Sequence, residues 1–183
     1  TDRSRGLGDV YKRQIRTLDL DEVNKLGEGV KAIALPDERW DHVDIKTTNL
    51  IPNILAQTKA EKKFAYTAML FRDGICTEGA TSNVFVVKDG ILYTHPADNH
   101  ILKGITRQMI LTRVAPSLGI TLIEKEFDRA FVDDADELFF TDTIGGVIPI
   151  TKLDRNPVSG GKPGAITLRL REALEKLMEE GLP

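Results

Sequence analysis

The stretch TEGATSNVFVVKDGILYTHPADNHILKGITR, Thr77–Arg107, decides the reading of this chain. Its middle is a β-hairpin: Asn83–Lys88 is rich in Val and Phe, Asp89-Gly90 suits a two-residue type I′ turn, and Ile91–Thr94 returns. Glu78 precedes the hairpin in Thr77-Glu78-Gly79. Gly104-Ile105-Thr106 follows it, at the start of an amphipathic run through Ile105, Met109, Ile110, Val114 and Leu118. A loop entering a helix through Gly and Thr offers free backbone N–H groups, a hydroxyl and the positive end of the helix dipole. A phosphate would sit well there.

Working outward, 183 residues with 41% hydrophobic content and a net charge of -3 fit one compact domain, or one domain with a piece of another. The charge balance argues against a nucleic-acid surface. A single cysteine, Cys76, leaves no intrachain disulfide framework and fits a reducing cytoplasm. No uncharged apolar run approaches the roughly 18 residues that span a bilayer, so no membrane partner is expected.

Thr1–Gln14 has no apolar period, and Asp9-Val10-Tyr11-Lys12-Arg13-Gln14 matches the translation of a DNA-library transposon adapter, residue for residue. Residues 1–14 are therefore expected to be a non-native tail, with a native disordered tail as the alternative. Residues 15–36 read as an interdomain segment and first strand, and 37–183 as one domain. Leu18–Leu26 looks like a helix end stopped by Gly27 and Gly29, and Val30–Leu35 like a strand ended by Pro36. Val43-Asp44-Ile45 reads as extended and leads to Lys46. Leu50–Tyr66 has helical spacing through Leu50, Ile54, Ile51 and Leu55, with Pro52 in its first turn. Further strands are expected at Ala68–Phe71, Ile75–Thr77, Thr121–Glu126, Glu137–Thr141 and Val147–Leu153. A terminal helix should follow Pro163-Gly164, its apolar face on Ile166, Leu170, Ala173, Leu174 and Leu177. Strands and helices mixed in one block without repeats mean α/β or α+β.

Three features bear on chemistry. Lys46, alone between Ile45 and Thr47, suits an amine that loses its proton through desolvation; the plain alternative is a surface lysine at a strand end. Glu78 beside glycine could be ordinary turn chemistry, and the Gly104 helix start could be simple capping. Taken together they propose pyridoxal phosphate: a lysine to hold it covalently, a carboxylate for the pyridine nitrogen, a helix start for the phosphate. His95, Asp98 and His100 share a loop without a fourth ligand, so no metal site is expected. Asp133-Asp134 reads as solvated charge. Gly160-Gly161 lacks the spacing of a nucleotide-binding loop.

Asp44-Ile45-Lys46-Thr47-Thr48-Asn49-Leu50, Thr77-Glu78-Gly79 with Ser82-Asn83-Val84-Phe85, Val87-Lys88-Asp89-Gly90 and Leu102-Lys103-Gly104-Ile105-Thr106-Arg107 resemble the class IV aminotransferases of fold type IV, and most of all those acting on D-amino acids such as D-alanine. The resemblance covers Leu20 to Leu177. It implies that Lys46 is the catalytic lysine, joined to pyridoxal 5'-phosphate and shuttling a proton, and that Glu78 contacts the pyridine nitrogen. It further implies that Leu102 packs on the ring, that Gly104, Ile105, Thr106 and Thr143 form the phosphate site, and that Ser82 and Asn83 back the ring. The implied fold is the C-terminal pseudo-barrel domain of the D-amino-acid and branched-chain aminotransferases, with the N-terminal domain missing here. The implied whole is a cytoplasmic homodimer acting on an amino acid and a 2-oxo acid, and this chain alone is then expected to be inactive. Asp142 and Gly145-Gly146 depart from the D-alanine pattern toward branched-chain or R-selective amine transaminases. A lyase of aminodeoxychorismate on the same cofactor, and a non-catalytic phosphate-ligand module, are the other readings.

Overall fold

A computed structural model describes residues 20–181. In chain order the elements are α1 (Leu20–Leu26), β1 (Val30–Pro36), α2 (Ile51–Glu61), β2 (Thr67–Arg72), β3 (Ile75–Gly79), β4 (Asn83–Lys88) and β5 (Ile91–Thr94), then α3 (Ile105–Met109), a π-helical turn Ile110–Val114 and α4 (Ala115–Ser117). The remainder comprises β6 (Leu122–Glu124), α5 (Arg129–Asp133), β7 (Glu137–Asp142), β8 (Gly146–Leu153), β9 (Asn156–Pro157), a 3-10 turn and α6 (Ala165–Glu179). The expected hairpin is present: Asp89 and Gly90 have φ of 53° and 75°, the two left-handed residues that a type I′ turn needs.

The nine strands form one mixed sheet in the order β3-β2-β1-β8-β7-β4-β5-β6, with β9 added to β8. β1 runs parallel to β2 and β8, and β5 to β6, while the other pairs are antiparallel. The sheet curls into a half-barrel. Edge strand β3 meets the segment after β6, where Ile75 bridges to Asp128 and Cys76 N donates to Phe127 O at 2.9 Å.

Side chains alternate across the curled sheet. Val84, Val86, Leu138, Phe140, Ile148 and Ile150 point to one face and form one core cluster. Phe85, Val87, Phe139 and Val147 point to the other, against Ile110, Val114, Leu170 and Leu174. Both faces of β4 and β7 are thus buried, which explains their unbroken apolar runs. The register pairs Phe85 with Phe139 and, two residues along, Asn83 with Thr141. A polar pair therefore stands on the helix-side face where the strands meet α3.

Glu137 ties α6 to the sheet. Its carboxylate, 8% exposed, accepts from Ile166 N at 3.0 Å, Thr167 N at 2.7 Å and Thr167 Oγ1 at 2.7 Å. These are otherwise orphaned donors at the positive end of a 15-residue helix. Glu137→Ala leaves them unsatisfied and is expected to cost about 2–3 kcal/mol in urea unfolding. A loss below about 0.5 kcal/mol would refute the cap.

Several expectations need correction. The helix expected over Leu50–Tyr66 stops at Glu61, and Phe64 adopts φ 53° in the turn that follows. Its sheet-facing side is Ala56 and Ala60, while Ile51, Ile54 and Leu55 are 69%, 60% and 51% exposed. Small alanines let the backbone approach the sheet closely, so the branched side chains are left outside. Ile105, the first residue of the next amphipathic run, is also exposed. The expected uninterrupted helix after it contains the π turn, just ahead of Pro116, which has no N–H for a regular helical bond. Strand Thr121–Glu126 shortens to Leu122–Glu124, and Val43-Asp44-Ile45 is irregular, with a turn at Val43-Asp44. Helix α5 went unseen in the sequence because five residues carry no usable period; Asp128 caps it, accepting from Phe131 N at 2.8 Å. The N-terminal tail lies outside the described residues.

Candidate functional site

A cleft of about 250 Å³ opens where β3, β4 and β7 end beside the start of α3. Lys46, Glu78, Ser82, Asn83, Leu102, Gly104, Ile105, Thr106 and Thr143 all line it. Residues far apart in sequence, from the loop before α2 to the turn after β7, are thereby brought to one place by the sheet.

Glu78 forms the floor. It lies within β3 rather than in a turn, and is 5% exposed. Its Oε2 accepts from Asn83 Nδ2 at 2.8 Å and Leu102 N at 3.0 Å, and its Oε1 accepts from Arg39 Nη1. Burial pushes the Glu78 carboxyl up to about 7, against the pull of Arg39 and the Leu102 N–H. Asp37 shows the opposite balance: burial acts to raise it, but the bonds and charge of Arg39 win and hold it at about 2.

Asn83 connects the floor to the α3 wall, since Nδ2 also donates to Leu102 O at 2.8 Å. A Cβ on Gly104 would stand 2.2 Å from Asn83 Oδ1, so only glycine fits beside it. At the other wall Thr106 Oγ1 donates to Asp142 O at 2.8 Å. Asp142 Oδ1 accepts from Ile144 N at 2.9 Å and Gly145 N at 2.6 Å, closing the turn that presents Thr143. Asp142 Oδ2 accepts from Tyr66 OH at 3.3 Å, and burial together with that carboxylate pushes the Tyr66 phenol up. The departure at Asp142 is thus a turn-closing one.

Two buried hydroxyls, Ser82 Oγ and Thr141 Oγ1, have no hydrogen-bond partner among the described residues. Both belong to cleft-lining residues. Buried polar groups are normally paired, so a ligand with polar groups suits this cleft. Lys46 sits on the exposed rim, in a loop without regular structure. That corrects the desolvation argument: with the described residues in place, Lys46 is exposed.

Arg39 and Asp37 were missed in the sequence. Asp37-Glu38-Arg39 after Pro36 looks like an ordinary charged turn, and no period or spacing distinguishes it. Thr141 was missed because it reads as the last residue of a strand. Away from the cleft, Glu126 joins His95 and Asp98, with ligand atoms within 4.8 Å. There Asp98 Oδ1 already accepts from His100 N at 2.7 Å, and His95 Nδ1 faces Pro96 O at 2.9 Å.

A curled mixed sheet with lysine, carboxylate and helix start around one cleft defines a class, and comparison with known proteins agrees: the chain belongs to the class IV amino-transferase family, whose sequence profile matches residues 14–153. It is similar to the D-alanine aminotransferase of Staphylococcus aureus (strain COL), 42% identical over 154 residues, covering 84% of this chain and 54% of that protein. To the D-alanine aminotransferase of Bacillus licheniformis it is 41% identical over 147 residues, covering 80% of this chain and 52% of that one. Among solved structures it resembles a branched-chain aminotransferase from Thermoproteus uzoniensis with norvaline, at TM-score 0.77 and 31% identity, covering 82% of this chain and 52% of that one. A branched-chain amino acid aminotransferase from Thermobaculum terrenum, in PLP-form (holo-form), gives TM-score 0.77 and 26% identity, covering 87% of this chain and 53% of that one. The chain spans about half the length of these relatives.

Proposed function

We propose that this chain forms the pyridoxal 5'-phosphate wall of an aminotransferase that moves an amino group from a D-amino acid such as D-alanine to 2-oxoglutarate. The observation that carries the reading is the convergence of Lys46, Glu78 and Thr106 on one cleft whose buried Ser82 and Thr141 hydroxyls lack protein partners. The bound cofactor supplies an electron sink for removal of the proton beside the amino group. Lys46 would hold the cofactor covalently and move that proton, its exposed position leaving the amine within reach of both. Glu78 would present its carboxylate to the pyridine nitrogen, and Leu102 would cover the ring. Backbone N–H groups of Ile105 and Thr106, Thr143, and the Thr106 hydroxyl once turned from Asp142 O would hold the phosphate, at a helix start that has N–H groups to spare. Gly104 and Asn83 keep Glu78 in place, and Ser82 backs the ring.

The names of the relatives by sequence support D-alanine. A second reading, a branched-chain L-amino acid as donor, is favoured by the names of the structural relatives and by the Asp142-closed turn. Assay of the complete protein, in which this chain forms one wall, with D-alanine and with branched-chain L-amino acids, 2-oxoglutarate as acceptor, separates them. Turnover with D-alanine is expected, and turnover with L-leucine alone would replace the first reading with the second. The assembly is a homodimer in this reading, and the uncovered Ile51, Ile54 and Leu55 of α2 suit a second copy. Among the described residues no helix is long and apolar enough to cross a membrane.

Glu78→Gln tests the role of the floor. The amide cannot carry the charge that keeps the pyridine nitrogen protonated, so cofactor is retained while turnover falls by more than about tenfold, or 1.4 kcal/mol in the barrier. Turnover within a factor of about two would remove Glu78 from that role.

A further inference from the structure

Arg39 reaches the cleft floor from the turn after β1 and is 7% exposed. All three of its guanidinium nitrogens donate. Nε and Nη2 donate to the Asp37 carboxylate at 2.9 and 2.8 Å, Nη2 also to His100 O at 3.2 Å, and Nη1 to Glu78 Oε1. Asp37 itself has no exposed side-chain surface and accepts from Thr77 Oγ1 at 2.8 Å. Arg72 stands 3.6 Å from Asp37 and donates to Arg39 O at 2.6 Å. A planar fork fixed on one carboxylate cannot swing, so Nη1 is held in one place. There it meets Glu78. With Oε2 fixed by Asn83 and Leu102, the Glu78 carboxylate is oriented before any ligand arrives.

We propose that Arg39 is the positioning residue for Glu78: braced by Asp37, it holds the Glu78 carboxylate charged and facing the cleft, and so governs how a ring nitrogen bound there shares its proton. This rests on the pyridoxal-phosphate reading. Burial raises Glu78 above its ordinary value of 4.5, to about 7. The contribution of Glu78 to stability is therefore fully present below about 4.5 and lost as pH rises through about 7. Arg39 opposes that loss, and only while Glu78 is charged. The other groups facing this pair are Asp37, Cys76, whose thiol burial pushes far up, and Arg72 beyond Asp37.

The test is a double-mutant cycle on the full chain without cofactor: wild type, Arg39→Met, Glu78→Gln and both together, unfolded in urea at pH about 5 and about 8. Asp37 and Arg72 are present in all four proteins, so the cycle cancels their separate contributions. The Arg39–Glu78 coupling is expected to grow at least roughly tenfold in folding constant from the lower pH to the higher, one pKa unit's worth of interaction. If Arg39→Met does not fold, Arg39→Lys carries the same cycle with a smaller rise, since it keeps the charge and loses the fork. After loading with pyridoxal phosphate, the pH profile of the visible absorbance should shift in Arg39→Met and return part of the way in Arg39→Lys. A coupling that is flat across pH, or an unmoved absorbance profile, overturns the proposal. A pH-dependent coupling in a protein that gains no absorbance overturns the cofactor reading instead, and the second half of the proposal with it.

Discussion

Lys46→Ala in the complete protein is expected to lower amino-group transfer by roughly a thousandfold or more, because one amine serves both as the covalent anchor and as the proton carrier. The variant should also lose the visible absorbance that wild type gains with pyridoxal phosphate. Its stability should not change by more than about 0.5 kcal/mol, since Lys46 is exposed and lies outside the core. That combination separates a chemical role from a structural one. Near-normal turnover, or a large loss of stability, would contradict it.

Phe139→Ala is expected to be the most destabilising single change considered, at about 3–5 kcal/mol. Phe139 is fully buried and stacks on Phe85 with ring centroids 4.9 Å apart and planes 4° from parallel. The two rings hold β7 against β4 in the register that sets Asn83 opposite Thr141. Losing the ring therefore weakens the core and loosens one wall of the cleft together. Urea unfolding gives the stability, and a pyridoxal phosphate titration gives the binding loss expected alongside it. Leu168→Ala is the control, since Leu168 is 44% exposed, and should change stability by no more than about 0.5 kcal/mol. A similar loss in the two variants would refute the assigned core.

How much of this was legible in the sequence depends on whether local chemistry dictated it. The Asp89-Gly90 turn, the α6 face through Leu170 and Leu174, and the strand at Glu137 were readable because turn residues and periods are local signals. The α2 spacing was legible at Ile51, Ile54 and Leu55, but these are exposed and the alanines make the contact. Hydropathy pattern cannot distinguish a core face from an apolar face left uncovered.

The cleft was legible in its lining and not in its floor. Glu78 and Thr106 were visible through the glycines beside them, yet the residues that hold them were not. Arg39 acts on Glu78 from 39 positions away, and Asn83 reaches both Glu78 and Leu102 across a loop. Such contacts depend on how the sheet curls, which no local pattern records. Lys46 lines the cleft, but the burial expected of it is absent. Its rim position gives it access, and the described structure does not desolvate it.

The most direct measurement is a map of where the cofactor attaches. The chain is incubated with pyridoxal phosphate, reduced with borohydride and digested, and each lysine-bearing peptide is weighed. The account predicts a pyridoxyl group concentrated on the peptide containing Lys46, at cofactor levels where the exposed Lys59 and Lys62 remain largely unlabelled. Label spread evenly over the exposed lysines, or concentrated on one outside the cleft, would contradict it.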